Sequence, residues 1–235
     1  MRPIPGDSTG CTGRPGENGR VTDLMLSFPW EEAEIPGPAP VEPPHRRRVV
    51  ASSTDRVAWL RARSRGVTAT DAARLASERA VRSVAWEKVN GTGFGGNAFT
   101  DHGRAREPEI ARWVRLNHRI EPSSTLYHAH GEPLHLATPD GVAVLGGAVV
   151  LAEIKTTGHA WKSIPRSYLR QVWWQQYVLG AERTLVVWEQ HDGFVPVAAE
   201  PKTQWVERDD NQIHVLVNLA DRLLRLMGKE PRGKY

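Results

Sequence analysis

Cysteine is almost missing from this chain. The single one among 235 residues, Cys11, excludes an internal disulfide and any zinc cluster built on thiolates. Long apolar runs are missing as well, for no stretch approaches the ~18 residues that a membrane-spanning helix needs. Met1-Arg2 leads into proline, glycine and polar residues, not into the apolar segment of a secretory leader. A cytoplasmic protein of a reducing compartment, without a membrane partner, is expected. Lysine is scarce, 6 against 25 arginines, a bias that a GC-rich genome produces as readily as a need for guanidinium chemistry. What is present is ordinary for a soluble globular chain, with 25% charged and 40% hydrophobic residues, and the length suits one substantial core plus a tail.

Proline and charge are unevenly placed. Residues 1–45 hold nine of the 17 prolines, six glycines and a net charge of −4. Such a segment buries too little apolar surface to offset ordering entropy, so residues 1–50 are expected to form a disordered tail ahead of a domain over 51–230. Within it the apolar stretch Leu24 to Trp30 reads as a chance hydrophobic patch or a short docking motif. Residues 46–82 carry ten arginines against three acids, either a phosphate-facing surface, since counterion release rewards such clusters, or a solvated basic helix pair.

From Thr54 the pattern turns helical through Val57, Trp59 and Leu60, followed by a basic turn over 61–66. Thr70-Asp71 reads as an N-cap pair. The Gly-rich stretch over 90–97 lacks the lysine and hydroxyl of a phosphate-binding loop. A helix is expected over 103–117, with Pro108 in its first turn and Glu107 on the inward stripe of Ile110, Ala111 and Val114. Strands follow near 134–136, and 142–145 and 148–154 flank Gly146-Gly147 as a hairpin. A Trp- and Gln-rich helix over 165–179 ends at Gly180. Strands near 183–189, 194–199 and 205–206 and a helix over 211–227 complete the chain.

The informative piece is Asp140 within Thr-Pro-Asp-Gly, then Glu153-Ile-Lys155. Side chains alternate along a strand, so Glu153 and Lys155 share a face. The preceding Val149-Val-Leu-Ala152 is apolar on both faces, as in a central strand. Charges at the end of such a strand are costly to bury, and a divalent cation compensates them. With Asp140 as the second carboxylate, the donor set is hard oxygen and suits Mg²⁺. His128, His130 and His135 also invite a metal reading, but their spacing crosses a turn, which argues against a shared ion.

Pro-Asp…Glu-x-Lys resembles the signature of the PD-(D/E)xK nuclease superfamily. Other segments narrow the likeness to its YqaJ-like viral recombinases, the relatives of phage lambda exonuclease. Trp59 to Asp71, reading Trp-Leu-Arg-Ala-Arg-Ser-Arg-Gly-Val-Thr-Ala-Thr-Asp, resembles that family's opening motif. Gly103-Arg-Ala-Arg-Glu107 resembles its Gly-x-x-x-Glu helix, Tyr168-Leu-Arg-Gln171 its Tyr-x-x-Gln helix, and Val206-Glu-Arg-Asp209 its ending. The likeness runs in order over about 54–227.

The resemblance implies an α/β fold: a restriction-endonuclease-like core with a mixed sheet flanked by helices. It implies a deoxyribonuclease that degrades the 5′ strand of linear double-stranded DNA and leaves 3′ overhangs for phage-type recombination. It further implies a single-strand annealing partner and a homo-oligomer, a trimer. Asp140, Glu153 and Glu107 would hold Mg²⁺, with Mn²⁺ able to substitute, and Lys155 would orient the attacking water. Tyr168 and Gln171, sharing a helix face with Gln175 one turn on, would look into the site. Arg63 or Arg65, Thr70, Thr138 and, more loosely, Lys162 would hold DNA phosphate; threonine stands where the family more often has serine. The alternatives are a PD-(D/E)xK endonuclease, a RecB-like single-strand nuclease, or a DNA-binding module without catalysis. The missing cysteine quartet argues against an iron–sulfur Cas4-like enzyme.

Overall fold

A computed structural model of the chain describes residues 42–91 and 98–231. The expected tail up to residue 41, with Leu24 to Trp30, and most of the Gly-rich stretch lie outside the described residues.

Two sheets organise the fold. The larger has strand order β2 (Glu121–Pro122), β5 (Gly141–Leu145), β6 (Ala148–Thr157), β7 (Arg183–Asp192) and β8 (Val195–Pro196), with β9 (Lys202–Glu207) also paired to β7. The smaller joins β1 (Val49–Ser52), β3 (Thr125–Ala129) and β4 (Glu132–Ala137). β5 and β6 form the expected hairpin, with Val142 opposite Leu151, and positive φ angles of 60° and 87° at Gly146 and Gly147 close its turn at no steric cost. β6 and β7 run parallel, so the chain between them must cross over, and helix α5 (Arg166–Leu179) is that crossover.

β6 is central and apolar on both faces, and the side-chain alternation sorts it between two cores. Val149 and Leu151 pack with Val172, Trp173 and Trp174 of α5 and with the closing helix α6 (Asp210–Leu226). Val150, Ala152 and Ile154 pack with Ile110, Ala111 and Val114 of helix α4 (Ala98–His118). The sheet is therefore a mixed layer between helices, as expected.

Four local expectations need correction. Helix α4 starts earlier than expected, and Pro108 lies well inside it, not in its first turn. Proline cannot bond the carbonyl one turn back, but that carbonyl belongs to exposed Arg104, where water can satisfy it. The 61–66 stretch is mostly helix, because α1 (Arg56–Arg65) runs through it from its Asp55 cap. The cap of α2 (Ala69–Arg74) is Thr68, whose hydroxyl accepts from the Asp71 amide at 3.2 Å while the Asp71 carboxylate accepts from the Thr68 amide at 2.8 Å. Val67 sets this register: its amide donates to the Leu134 carbonyl and its own carbonyl accepts from the Leu136 amide, so the chain is extended there and the helix starts directly after. Thr70 is consequently inside the helix. Finally, the strand expected over 194–199 is limited to Val195–Pro196.

Candidate active site

The C-terminal half of β6 builds the site. Glu153 is 1% exposed, and its buried carboxylate is met by donors from two elements. Lys155, two residues along the strand, and Gln171 of α5 both donate to Oε1, and Gln175 donates to Oε2 at 2.6 Å. Tyr168, Gln171 and Gln175 lie three and four residues apart, so one face of α5 delivers all three over the strand. The Lys155 ammonium sits 5.2 Å from the centre of the Tyr168 ring, which packs on Trp161, itself stacked on Trp188.

Asp140 reaches the same place from the neighbouring strand. Its Oδ2 accepts from the Ile154 amide at 2.7 Å, the amide between Glu153 and Lys155. Gly141 pairs with Ala152, so Asp140 continues the β5–β6 ladder with a side chain where the backbone pairing ends. Burial, then the Glu153 charge, pushes the Asp140 carboxyl well above its usual range, Glu107 adds to this, and Lys155 and the Ile154 amide oppose it. Burial works against the Lys155 ammonium, yet Glu153 and Asp140 hold its pKa above the ordinary lysine value.

Glu107 comes from α4. An added methyl group at Gly103 would stand 3.2 Å from Thr156 Oγ1, so glycine lets the helix lie close against β6. Arg106 then anchors it with a two-pronged bond to Glu189 of β7, at 2.9 and 2.6 Å. Glu107 remains exposed at the rim, yet partial desolvation of its carboxyl and the charge of Glu153 raise its pKa, against Lys155 and Arg104. Among the described residues no three His, Cys, Asp or Glu side chains form a ready-made metal cage, the histidines at 128, 130 and 135 included. His135 is buried instead against Trp174 and Tyr177, with Asp221 at 3.3 Å. Asp140 and Glu153, with Glu107 at the rim, are hard oxygen donors whose mutual repulsion is countered by the single ammonium of Lys155, a donor set that fits a divalent cation.

A cavity of about 930 Å³ opens between α1, α2 and helix α3 (Glu78–Asn90). Arg63 and Thr70 both line it. Arg63 is held with its guanidinium 4.2 Å from the centre of the Trp59 ring. Arg65, Thr138 and Lys162 do not line it: Arg65 and Lys162 are exposed elsewhere, and Thr138 is half-buried beyond β4 with its hydroxyl unpartnered among the described residues. The cavity adds Lys88 and Arg104, which the sequence reading did not single out. Lys88 reaches it by bonding Asp71 at 2.8 Å and the Arg63 carbonyl at 3.1 Å. Arg104 stood inside the quoted Gly-x-x-x-Glu motif and could have been read there; Lys88 carried no local signal. Arg170 of α5 donates to the Ala73 carbonyl at 2.9 Å, tying the wall of this cavity to the helix that roofs Glu153.

The family model described as the YqaJ-like viral recombinase domain matches residues 58–182. The fold is similar to that of an alkaline exonuclease, LHK-Exo, from Laribacter hongkongensis, with a TM-score of 0.56 and 21% identity over 72% of this chain and 91% of that one. The same enzyme solved in complex with dAMP gives the same figures. A phage-related exonuclease from Haemophilus somnus 129PT matches with a TM-score of 0.54 and 11% identity over 69% of this chain and 93% of that one. No curated protein sequence matches. The likeness to these structures is one of mixed α/β fold, and among the described residues no helix is long and apolar enough to cross a membrane.

Proposed function

From a chain that belongs to the YqaJ-like viral recombinase domain family, we propose a divalent-metal-dependent exonuclease that degrades the 5′ strand of linear double-stranded DNA. Its product is a 3′ overhang for phage-type recombination, passed in the cytosol to a single-strand annealing protein, and the working form is a homo-oligomer, a trimer. The observation that carries the reading is Glu153 and Lys155 on one face of a buried strand, with Asp140 bonded to the amide between them.

Asp140 and Glu153, with Glu107 from α4, would hold Mg²⁺ or Mn²⁺, and an ion there would supply Lewis-acid polarisation of the scissile phosphate and a lowered pKa for the attacking water. Lys155 orients that water and offsets charge developing on the phosphate. Gln171 and Gln175 fix the Glu153 carboxylate, and Tyr168 fixes the lysine. Arg63 and Thr70, joined by Lys88 and Arg104, take the terminal 5′ phosphate, since this cavity is rich in guanidinium and ammonium groups. Arg65 and Lys162, both exposed, contact phosphates further along the strand.

The test compares the protein with Lys155→Ala on linear duplex, 5′-phosphorylated or not, and on a closed circle, with Mg²⁺ or EDTA. Mononucleotides released from the phosphorylated linear duplex, with a fall of about a hundredfold or more in the variant, are expected. Cutting of the closed circle assigns an endonuclease instead, and no hydrolysis of any substrate refutes the enzyme reading.

A further inference from the structure

Beyond Lys155, β6 runs into another cavity, of about 510 Å³, whose lining differs from that of the cavity between α1, α2 and α3. Thr156, Thr157 and Gly158 form one wall, and Phe99, His191 and Phe194 supply aromatic rings. The volume falls within the range of small-molecule sites, about 300–1,000 Å³. Among the described residues Asp192 is the one Asp, Glu, Lys or Arg in the lining, so they offer no lysine or arginine to hold a phosphate. His102 packs against His191 and Phe194, so the ring cluster extends onto α4.

The aromatic side chains here are not core residues. Phe99 is 60% and Phe194 41% exposed, and Val195 and Val197 beside them are exposed too. Phe194 stands with Gly193 in the two-residue turn joining β7 to β8, where both φ angles are positive, 53° and 71°. Such a turn favours asparagine or glycine at both places, and a bulky side chain there is held against its backbone preference. Strain of this kind, for a side chain that buries little, is characteristic of a functional position. Phe194 stacks near-parallel on His191, with ring centres 5.5 Å apart and planes 27° apart, and His191 is 3% exposed, with its Nδ1 unpartnered among the described residues. A buried imidazole thus backs an exposed phenyl ring at the end of β7, where Trp188 pairs with Lys155 and His191 lies three residues further along.

The geometry points to a nucleobase-binding pocket: a base of the DNA strand next to the scissile phosphodiester stacks on Phe194 and Phe99 while its backbone lies across Glu153 and Lys155. This rests on the reading of that site as a nuclease, and it adds where the strand is gripped by its bases. Stacking accepts every base, because each has a π-face, as an enzyme digesting DNA of any sequence requires.

The test uses the full chain in EDTA with short single-stranded oligonucleotides that carry the fluorescent adenine analogue 2-aminopurine, or an abasic residue, at one position in turn. Phe194→Ala and Phe99→Ala are each expected to weaken binding about five- to hundredfold and to relieve the quenching of one 2-aminopurine position; Phe194→Trp keeps both. An abasic residue at that position weakens binding by a similar factor, and Phe194→Ala then adds nothing. If either alanine variant leaves affinity unchanged, or weakens intact and abasic oligonucleotides alike, the pocket takes no base. Hydrolysis of linear duplex in Mg²⁺ by the unaltered protein is scored separately. Quenching without hydrolysis sinks the nuclease reading and leaves the pocket, and hydrolysis without any effect of the variants sinks the pocket alone.

Discussion

Arg106 and Glu189 hold α4 against β7, and their removal tests how much that clamp contributes to the fold. Glu189 is 6% exposed, the Arg106 side chain keeps 25% of its surface, and two parallel bonds at 2.9 and 2.6 Å join them. Replacing Arg106 by methionine strands a carboxylate in the interior. Breaking a buried pair costs about 3–5 kcal/mol, and the partial exposure of the arginine places this one near the lower end, about 3 kcal/mol. For a folded unit of this size that lowers the melting temperature by about 6–12 °C. Replacing both residues, as Arg106→Met with Glu189→Leu, removes the stranded charge and restores most of the loss, so the two substitutions are far from additive. Denaturant titrations followed by tryptophan fluorescence measure all four forms. The penalty is expected to persist at high salt, since a buried pair is weakly screened. A cost for Arg106→Met within about 0.5 kcal/mol, the range of ordinary surface changes, or a simple sum in the double variant, would refute the reasoning.

Asp140→Asn keeps an acceptor for the Ile154 amide but removes the charge. Because the Asp140 carboxyl is raised in the folded state, its ionisation opposes folding as pH climbs from the unfolded aspartate range through the raised folded value. The variant is therefore more stable than the parent in EDTA at neutral pH, its advantage vanishing toward acid, while hydrolysis is lost; thermal melts across pH check both. Gln175→Leu leaves the Oε2 side of Glu153 without its buried donor and is expected to cost about 1.5–3 kcal/mol in urea titration, with a loss of rate larger than any change in KM. Thr68→Ala removes the capping hydroxyl of α2 and should cost about 1 kcal/mol, or roughly 2–4 °C in melting temperature.

Much of the site was legible because its geometry is local. Glu153 and Lys155 follow from strand alternation, Tyr168, Gln171 and Gln175 from helix spacing, and Asp140 from a Pro-Asp-Gly start to a hairpin whose turn residues are explicit. The unread parts depend on partners distant in sequence. Thr68 caps α2 because Val67 bridges to β4 far along the chain, which no capping preference between Thr68 and Thr70 reveals. β1 and β3 are short and carry register shifts at Val49/Ala51 and His128/Ala129, which erase the alternation that marks a strand. Pro108 hid the first turns of α4, and Lys88 enters the cavity only through the packing of α3. Phe194 looked like an unremarkable strand residue until its φ angle was known.

The bond from Asp140 to the Ile154 amide has a consequence for how this lineage can change. One side chain serves both as a rung of the sheet and as an acid of the site, so selection on architecture alone preserves an oxygen acceptor at this position. A descendant that abandoned hydrolysis would still be held to aspartate or asparagine there, whereas Lys155, which meets Glu153 and the Tyr168 ring and carries no rung of the sheet with its side chain, would be free to drift. In sorting active from retired relatives, the lysine is thus the informative letter, and the aspartate testifies mainly to a sheet that still closes.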